Sequence, residues 1–551
     1  MPPANPPVKI FHDSLTARLA NCPPAIHREV DALLSYRTAG WRFSKAFKDG
    51  RWDGWTHLLK PDSTFPAGLW RFVASHLYHA GHAVRHVDTR PPARGREPVL
   101  DRLTTRIVLR PYQEAAVTAA IEKEAGVLHM ATGAGKTEVM IAITHRLARR
   151  TLVMAHRWEL VRQIADRHVK GLQLTKNTPV VGVIGNSAWQ PTDITVAMFQ
   201  TVYARLNAPK RFVKGYLARR RKVWAKEGRP RAPTRRDVAG EPEFQYGLAE
   251  ANEHARIMKA LLAEFDVIHF DECHHVPAPT FFRVASAIPA RYRYGYSATP
   301  DKDDATEMKL VGATGPVVYE ETAVELIDGG YAVRPEIFIL DYEIDPVVAA
   351  ELVEREATQM LPWQVALKDR RTAEKAGGHA WGEYQDGIVD NGRRNKLIQE
   401  VTDDLRALGH TILILVDRLD HGEHLERLLV DSIFLHGTSG MANRKRGLMD
   451  MATGHRPIVI ATSIFDEGVD VPAISCLIPA RGGKAEHRSI QAVGRGMRPD
   501  EGKDRLIVVD FYDGFTRRLR RHSRARRDAY MNTEGFHVRQ GAFAEMKKLW
   551  R

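Results

Sequence analysis

The sequence predicts an α/β protein with two tandem, doubly wound parallel-sheet domains that follow a small α+β domain. The length of 551 residues exceeds what one hydrophobic core supports. Short runs such as 411–416 are apolar on both faces, which is typical of parallel strands covered by helices. These runs alternate with segments of helical periodicity, so the two sheets are expected to be wound through βα units.

The strand candidates occur in two blocks separated by helical patterns. They fall at 126–130, 151–155, 180–184, 194–199, 265–270 and 293–296, then at 337–340, 411–416, 433–435, 458–462, 474–478 and 506–511. Between two of them, Ile398, Val401, Leu405 and Leu408 share one helical face, and Gly409 is placed to end that helix.

The same patterns predict four segments. We expect a small α+β N-terminal domain at 1–100 with a possible role in DNA binding, a first domain at 101–328, a second at 329–515, and a basic C-terminal extension at 516–551. Within the first segment, Trp41, Trp52 and Trp55 are interpreted as core residues, with stacking on bases as the alternative.

Composition excludes several classes of protein. The hydrophobic content of 44% is ordinary for a globular protein, and no run of about 18 apolar residues predicts a membrane span. The first residues lack the pattern of a signal peptide. Three scattered cysteines argue against a disulfide framework or a zinc cluster and favour a reducing cytoplasm.

The net charge of +14 is concentrated in two segments. Residues 209–236 hold twelve Lys/Arg and one acid, and residues 516–527 hold seven arginines and no acid. Such local basic segments on a nearly neutral body favour contact with nucleic acid. The alternative is a solvated, partly disordered surface loop.

A glycine-containing loop between a predicted strand and a predicted helix, at 131–137, indicates a phosphate-binding site. Lys136 is expected to reach the β- and γ-phosphates of ATP, and the Thr137 hydroxyl to bind Mg²⁺. Met130 stands where the general pattern has glycine, but the turn that follows is intact. The loop residues whose backbone N–H groups are expected to surround the phosphates are Thr132, Gly133, Ala134 and Gly135.

A second acidic motif supports the nucleotide site. The predicted strand 265–270 delivers Asp271 and Glu272 to its carboxyl end. Asp271 is expected to ligate Mg²⁺, and Glu272 to orient or deprotonate the attacking water.

Further residues are expected to complete this site from other parts of the chain. Arg110 and Gln113 are candidates to contact adenine. Arg495 and Arg498, three apart, are predicted to share one helical face and to neutralise the γ-phosphate. Candidates for additional contacts in the same cleft are Gln491, Gly468 and Asp470.

On these motifs the chain resembles superfamily 2 helicases of the DEAH-related type over about 105–515. The resemblance implies two RecA-like domains, with hydrolysis coupled to domain movement through Ser297, Ala298 and Thr299. It also implies that three short segments line the face that binds a nucleic-acid strand. Their residues are His156 and Arg157, Gln200 and Thr201, and His436 and Gly437.

The segments 47–54 and 65–69 are similar to the N-terminal domain of the UvsW type of phage recombination helicase. This resemblance implies a monomeric, ATP-driven motor that translocates on DNA and remodels branched or duplex molecules in a bacterial or phage-infected cell. An RNA-dependent ATPase, the motor of a restriction-type complex and a nonhydrolysing DNA-binding scaffold are the alternatives.

Most of residues 207–260 is expected to be an insertion in the first domain. Its basic stretch contains Arg219, Arg220, Arg221 and Lys222. Our hypothesis is an added DNA-gripping element, and the alternative is a loop that supplies only nonspecific attraction.

Overall fold

The computed structural model describes residues 7–550 except 39, 175–179, 230, 299–306, 345, 351, 353–381, 438, 463–473 and 484–485. Its contacts divide the chain into two units. The first is Met1–Met130 with Gly135–Glu320, and the second is Ala131–Ala134 with Glu321–Arg551.

The first hundred residues form their own small sheet within the first unit. The elements are β1 (Val8–His12), β2 (Thr16–Ala20), α1 (Pro24–Leu33), β3 (Ser35–Arg37), α2 (Lys45–Lys48), β4 (Trp55–His57), β5 (Thr64–Pro66), α3 (Trp70–His79), β6 (Val84–Asp88) and α4 (Pro98–Asp101). The sheet has the order β5-β2-β1-β6, with β1 and β6 parallel and the other pairs antiparallel, and β3 pairs with β4 separately.

Aliphatic residues of this sheet and of α1 and α3 form the N-terminal core, in which Ile10, Val30 and Val73 are fully buried. The interpretation of Trp41, Trp52 and Trp55 as core residues is wrong. They lie outside this cluster, where Trp41 and Trp52 are partly exposed and Trp55 is exposed. The physical reason is that Arg37 covers the rings of Trp41 and Trp55, and the Trp52 indole donates to the Trp55 carbonyl oxygen, so none of the three rings packs into the aliphatic core.

The first unit also contains an eight-stranded sheet. Its elements are α5 (Pro111–Lys123), β7 (Ala125–Met130), α6 (Lys136–Leu147), β8 (Thr151–Ala155), α7 (Trp158–Gly171), β9 (Val181–Gly185), β10 (Ala188–Trp189), β11 (Ile194–Met198), α8 (Phe199–Leu206), α9 (Ala208–Lys226), α10 (Arg235–Val238), α11 (Pro242–Leu262), β12 (Val267–Phe270), α12 (Pro279–Ala285), β13 (Tyr292–Ser297), α13 (Glu307–Thr314) and β14 (Val317–Glu321). The order is β10-β9-β11-β8-β12-β13-β7-β14.

The middle strands β11, β8, β12, β13 and β7 are mutually parallel. Every residue of β8, β12 and β13 is buried, as expected for a sheet covered on both faces. The predicted strands in this region are confirmed to within two residues at each end.

The insertion folds as a helical hairpin. Its two long helices, α9 and α11, pack on each other around a small cluster in which Tyr216, Val238 and Phe244 are buried. The Tyr216 hydroxyl and the Arg220 guanidinium both donate to Glu241. Burial of a phenylalanine side chain contributes about 2 kcal/mol, so this cluster stabilises the hairpin in addition to the packing of α11 against the core of the sheet.

The second unit contains a seven-stranded sheet. Its elements are α14 (Ala323–Asp328), β15 (Arg334–Asp341), α15 (Gly392–Ala407), β16 (Ile412–Leu415), α16 (Leu419–Leu428), β17 (Ser432–Leu435), α17 (Met441–Ala452), β18 (Ile458–Ala461), β19 (Cys476–Pro479), α18 (Glu486–Gly496), β20 (Arg505–Phe511), α19 (Arg517–Met531), β21 (His537–Ala542) and α20 (Phe543–Met546). The order is β17-β18-β16-β19-β20-β15-β21, and all pairs are parallel.

The C-terminal segment is part of this sheet, since β21 pairs with β15 and Trp550 is buried in the core beneath it. Within α19, Arg526 is buried, so this arginine does not belong to the basic surface through which segment 516–527 is predicted to contact nucleic acid. It donates to Asp510 at 3.0 Å. Asp510 and Asp513 are buried at the end of β20, and Arg526 balances their negative charge.

Both predicted parallel-sheet domains and the α+β N-terminal region are present, so the predicted fold class is confirmed. Over the described residues, no helix combines the length and the apolar character that crossing a bilayer requires.

Candidate active site and nucleic-acid interface

Five neighbouring strands of the first sheet end at one edge, and a motif singled out in the sequence follows each of them. The strands are β7, β13, β12, β8 and β11. The phosphate-binding loop follows β7, and the acidic pair Asp271 and Glu272 follows β12. In open α/β sheets, ligands bind at the carboxyl ends of the strands, so this edge is the candidate site.

The phosphate-binding loop has a backbone that requires glycine. Gly133 and Gly135 have φ values of 91° and 82°, in the left-handed region that other residues rarely adopt. The turn delivers the chain into α6, which begins at Lys136. The N-terminus of a helix carries unpaired N–H groups and a partial positive charge, so the loop suits a phosphate.

Gln113 lies against this loop. Its carbonyl oxygen accepts the Arg110 backbone N–H at 2.9 Å and so caps α5. A Cβ atom at Gly135 would overlap the Gln113 amide nitrogen, which explains glycine at that position. The Arg110 guanidinium donates to the Tyr112 hydroxyl at 3.2 Å. Of the two residues predicted to contact adenine, Gln113 is therefore fixed beside the phosphate-binding loop, and Arg110 lies at the start of the same helix.

Lys136 faces the acidic pair. Its side chain is 13% exposed, and its Nζ lies 4.0 Å from Glu272 Oε1 and 3.5 Å from the Met130 carbonyl oxygen. Glu272 is a non-glycine residue with φ of 47°, a strained conformation of the kind that concentrates at functional sites. The residues predicted to bind phosphate and to act on water are thus brought together.

The two carboxylates titrate in opposite directions. Burial and the neighbouring Glu272 raise the pKa of Asp271, although Lys136 lowers it. Burial also raises the pKa of Glu272, but Lys136 and His274 outweigh that effect and hold the pKa of this carboxyl below its ordinary value. The single positive charge of Lys136 therefore does not balance the negative charges of both carboxylates.

The carboxylates fit a divalent cation. Glu272 has Lys136 Nζ at 4.0 Å and His274 Nδ1 at 3.3 Å, whereas burial and the adjacent anion raise the pKa of Asp271, so the charge of Asp271 is poorly balanced. Carboxylate and hydroxyl oxygens are the ligands that Mg²⁺ prefers, and it is usually held by one or two carboxylates together with phosphates. Asp271 and Thr137 therefore have the chemistry to hold Mg²⁺ with a nucleotide.

His274 is a site residue that the sequence motifs do not identify. Its Nδ1 lies 3.3 Å from Glu272 Oε2 and 3.1 Å from Ser297 Oγ. It therefore joins the residue predicted to act on water to the segment predicted to couple hydrolysis to movement. The available signal is its place two residues after Glu272, beside the strand that ends at Ser297.

The coupling segment is held by one further contact. The carbonyl oxygen of Ala298 is 3.0 Å from His129 Nε2, and the other ring nitrogen of His129 lies 2.9 Å from Glu320. Thr299 lies outside the described residues.

Two segments predicted to bind a nucleic-acid strand are next to each other. His156 and Arg157 follow β8, while Gln200 and Thr201 lie in the first turn of α8 after β11. The Gln200 amide donates to the His156 carbonyl oxygen at 2.8 Å, and the His156 ring lies 4.7 Å from that of His275. This contact connects the predicted strand-binding segments with the acidic motif.

The third such segment belongs to the second unit. His436 and Gly437 follow β17. The His436 backbone N–H donates to the Ser439 hydroxyl at 3.0 Å, and Arg444 of α17 donates to the Gly437 carbonyl oxygen. These bonds fix the turn after the strand.

The structure confirms part of the prediction for the arginine motif, which comprises Arg495 and Arg498. Gln491 and Arg495 lie one turn apart on α18. The prediction that Arg498 shares a helical face with Arg495 is wrong, because α18 ends at Gly496 and the residue before Pro499 disfavours helical geometry. Lys503 closes this helix end by donating to the Gly496 and Arg498 carbonyl oxygens. Gly468 and Asp470 lie outside the described residues.

The basic stretch of the insertion lies on α9. Arg219, Arg221 and Lys222 are exposed, whereas Arg220 is partly buried and engaged with Glu241. The stretch is therefore a helix that presents cations on a packed hairpin.

Comparison with known proteins identifies two family matches. The family described as "Type III restriction enzyme, res subunit" matches residues 106–302, and the "Helicase conserved C-terminal domain" matches residues 392–500. The two ranges contain the phosphate-binding loop with the acidic pair, and Gln491 with the arginine motif, respectively.

Similar individual proteins include a "Putative DNA 3'-5' helicase Rad25" of Haloarcula marismortui, 23% identical over 81% of this chain and 59% of its own length. A "DNA 3'-5' translocase XPB2" of Sulfurisphaera tokodaii is 22% identical over 73% of this chain and 82% of its own length. Among solved structures, that of T4 UvsW covers 98% of this chain and 99% of its own, with 16% identity and a TM-score of 0.42.

The chain thus spans 59% of the length of its Haloarcula relative. The two family matches lie on the two parallel sheets, in the order in which the motifs occur. The chain therefore combines a region of the "Type III restriction enzyme, res subunit" family with a "Helicase conserved C-terminal domain".

Proposed function

We propose that the protein hydrolyses ATP to translocate along DNA and to remodel branched or duplex molecules. The observation that carries the proposal is the meeting of five motifs at one edge of the first sheet, with Lys136 and Glu272 4.0 Å apart. The names of the relatives, a DNA helicase and a DNA translocase, favour DNA as the polymer.

In this proposal Lys136 and the loop N–H groups bind the outer phosphates, while Arg110 and Gln113 position the adenine. Mg²⁺, held by Thr137 and Asp271, would neutralise charge on the phosphates when bound. Glu272 orients the attacking water and accepts its proton. The residues proposed to complete the site are Gln491, Arg495, Arg498, Gly468 and Asp470.

The nucleic-acid strand is proposed to lie along the residues that follow β8, β11 and β17, and contacts there are expected to be mostly to phosphates. Sequence preference should therefore be weak. Ser297, Ala298 and Thr299 are proposed to couple hydrolysis to movement. His274 would transmit the state of Glu272 to this segment.

The test is the steady-state ATPase rate with single-stranded, duplex, forked and four-way DNA, and with RNA of matched length. DNA should raise the rate more than RNA does, and ATP-dependent strand displacement should follow on one or more of the branched substrates. Lys136→Ala should lower turnover about 10²–10³-fold because a preorganised cation is lost.

Each outcome separates one alternative. If only RNA raises the ATPase rate, the polymer on which the protein acts is RNA and not DNA. Binding of DNA without any hydrolysis by the wild-type chain would leave only the scaffold. Equal turnover by the wild type and Lys136→Ala would place the reaction outside this site.

A further inference from the structure

Residues 37–57 of the N-terminal region carry aromatic and cationic side chains that neither the core nor the nucleotide site uses. They include the segment 47–54, which the sequence singles out. Of the large side chains in this stretch, Trp41, Phe43 and Trp55 are absent from the described N-terminal core and from the residues packed against it. Their function must therefore be sought on the surface.

The side chains in this segment form a layered cluster. The Arg37 guanidinium lies 4.2 Å from the centre of the Trp41 ring and 4.8 Å from that of Trp55. Arg42 lies 5.0 Å from the Trp41 ring, and Phe47 meets that ring edge-on at 4.4 Å. Cation–π contacts of this kind hold aromatic rings in fixed positions without a hydrophobic core.

The segment 47–54 builds this cluster through its turn. Gly54 has φ of 87°, and a Cβ atom there would lie 3.0 Å from both Arg37 and Trp41. The Asp53 carboxylate accepts the Trp55 backbone N–H at 2.9 Å, and the Trp52 indole donates to the Trp55 carbonyl oxygen at 2.6 Å. The motif therefore serves to fix Trp55 at the surface.

The cluster is open to solvent and positively charged. Trp55 is 37% exposed, and Phe43, which follows Arg42 in the chain, is 67% exposed. Residues 37–57 contain five Lys/Arg and two Asp, and one of these carboxylates, Asp49, is paired with Arg51 at 2.5 Å. Exposed aromatic rings can stack on the bases of an unpaired strand, and the surrounding Lys and Arg side chains can attract its phosphates.

We propose that this aromatic platform, made of Arg37, Trp41, Arg42, Phe43 and Trp55, binds a single-stranded segment of DNA. Bases stack on Trp55 and Phe43, while Arg42 and the nearby Lys45 attract the phosphates. A paired duplex does not offer its base faces, so the platform selects unpaired nucleotides. The choice of DNA as the polymer rests on the proposed function. The stacking of unpaired bases on these rings is inferred from the cluster itself.

The test compares the full chain with Trp55→Ala, Phe43→Ala and the double variant. Binding to a fluorescently labelled oligo-dT and to a fully paired duplex is titrated at one salt concentration without nucleotide. Each ring removed should weaken oligo-dT binding at least about fivefold, while duplex binding changes by less than about twofold. The matched control is Tyr78→Ala, which removes a ring that is 73% exposed in the same N-terminal region.

Equal affinity of the double variant and the wild type for oligo-dT would overturn the proposal. So would an equal loss on duplex, which would mean a general electrostatic or structural effect. If Trp55→Ala unfolds at a lower temperature, Phe43→Ala decides, because a ring that is 67% exposed contributes little to packing. A protein ligand instead of DNA would leave oligo-dT binding unchanged in every variant.

The two proposals fail in different ways. The proposed function fails if the wild type consumes no ATP with any polynucleotide, even if the platform binds oligo-dT. The platform fails if its variants bind oligo-dT like the wild type, even if DNA stimulates ATP hydrolysis.

Discussion

Glu272 lies between a lysine and a histidine that lower the pKa of its carboxyl, so it is charged at neutral pH and suited to accept a proton from water. We expect Glu272→Gln to keep nucleotide affinity and to lower hydrolysis about 10²–10⁴-fold, because only proton transfer is removed. Single-turnover hydrolysis and titration with a fluorescent nucleotide measure the two quantities separately.

The control is Glu253→Gln, which changes an exposed carboxylate of the same unit that pairs with Arg256, outside the site. Its hydrolysis rate should stay near that of the wild type. A Glu272→Gln protein that hydrolyses ATP at the normal rate would transfer the role of base to another residue.

His168 is fully buried in α7, and burial lowers the pKa of its imidazole to about 4. In the unfolded chain that pKa is about 6.5. The folded state therefore binds fewer protons between these values, and stability present above about pH 6.5 is lost as the pH falls toward 4. The loss reaches about 3 kcal/mol.

The thermal midpoint measured from about pH 7.5 to about pH 4.5 checks this prediction. His168→Leu should flatten part of the decrease below about pH 6.5, whereas the exposed His79→Leu should leave it unchanged. An identical pH profile for His168→Leu and the wild type would show that this imidazole is not the group that titrates.

At the scale of single residues, the sequence identifies most members of the site but not their partners. Lys136 and Asp271 are identifiable because each lies in a short sequence motif that is typical of a nucleotide-binding site. The contact of His274 with Ser297 depends on two adjacent strands, which no local pattern encodes. The end of α18 before Arg498 is encoded locally, by Gly496 and Pro499, and this signal outweighs the helical spacing of the arginines.

Among the elements, buried parallel strands are the most predictable. All four residues of β16 are buried aliphatics, a pattern that predicts a strand covered on both faces. The edge strand β21 has a polar, mostly exposed sequence, and it is a strand only because β15 offers it a partner. The surface position of Trp55 likewise depends on Arg37, which is distant in sequence, so ring type alone suggests a core residue.

The helical hairpin α9–α11 supports the hypothesis of an added DNA-gripping element. Because its cations stand on a packed helix, they can be replaced without deleting the hairpin. Replacing Arg219, Arg221 and Lys222 by Gln should weaken DNA binding and reduce the slope of log affinity against log salt by roughly one for each phosphate that is no longer neutralised. Binding titrations between low and moderate salt measure the slope.

Two control variants separate charge from folding in this experiment. Arg256→Gln removes an exposed arginine of α11 that pairs with Glu253, and it should leave the slope unchanged. Phe244→Ala should destabilise the hairpin by about 3 kcal/mol without removing any cation. An unchanged slope in the triple variant would leave these cations without a role in DNA binding.

At the scale of the whole molecule, the chain distributes one set of helicase motifs over two units. Lys136, Asp271 and Glu272 belong to the first unit, and Gln491 and Arg495 to the second. The order of these motifs is readable from the sequence, since each is short and chemically distinctive. The geometry that would unite them is a long-range property that local patterns do not contain.

The proposed motor requires that Arg495 act on the nucleotide that Lys136 binds. Arg495→Ala should then lower DNA-stimulated ATP hydrolysis about 10³-fold or more, the loss typical of an arginine that stabilises charge on the transferred phosphate. Nucleotide affinity should fall far less, because the phosphate-binding loop is intact. The matched control is Arg488→Ala, which removes an arginine from the same helix, 3.9 Å from Asp417. If Arg495→Ala hydrolyses ATP like the wild type, the second unit does not contribute this arginine to the reaction, and hydrolysis by the first unit alone would have to explain movement along DNA.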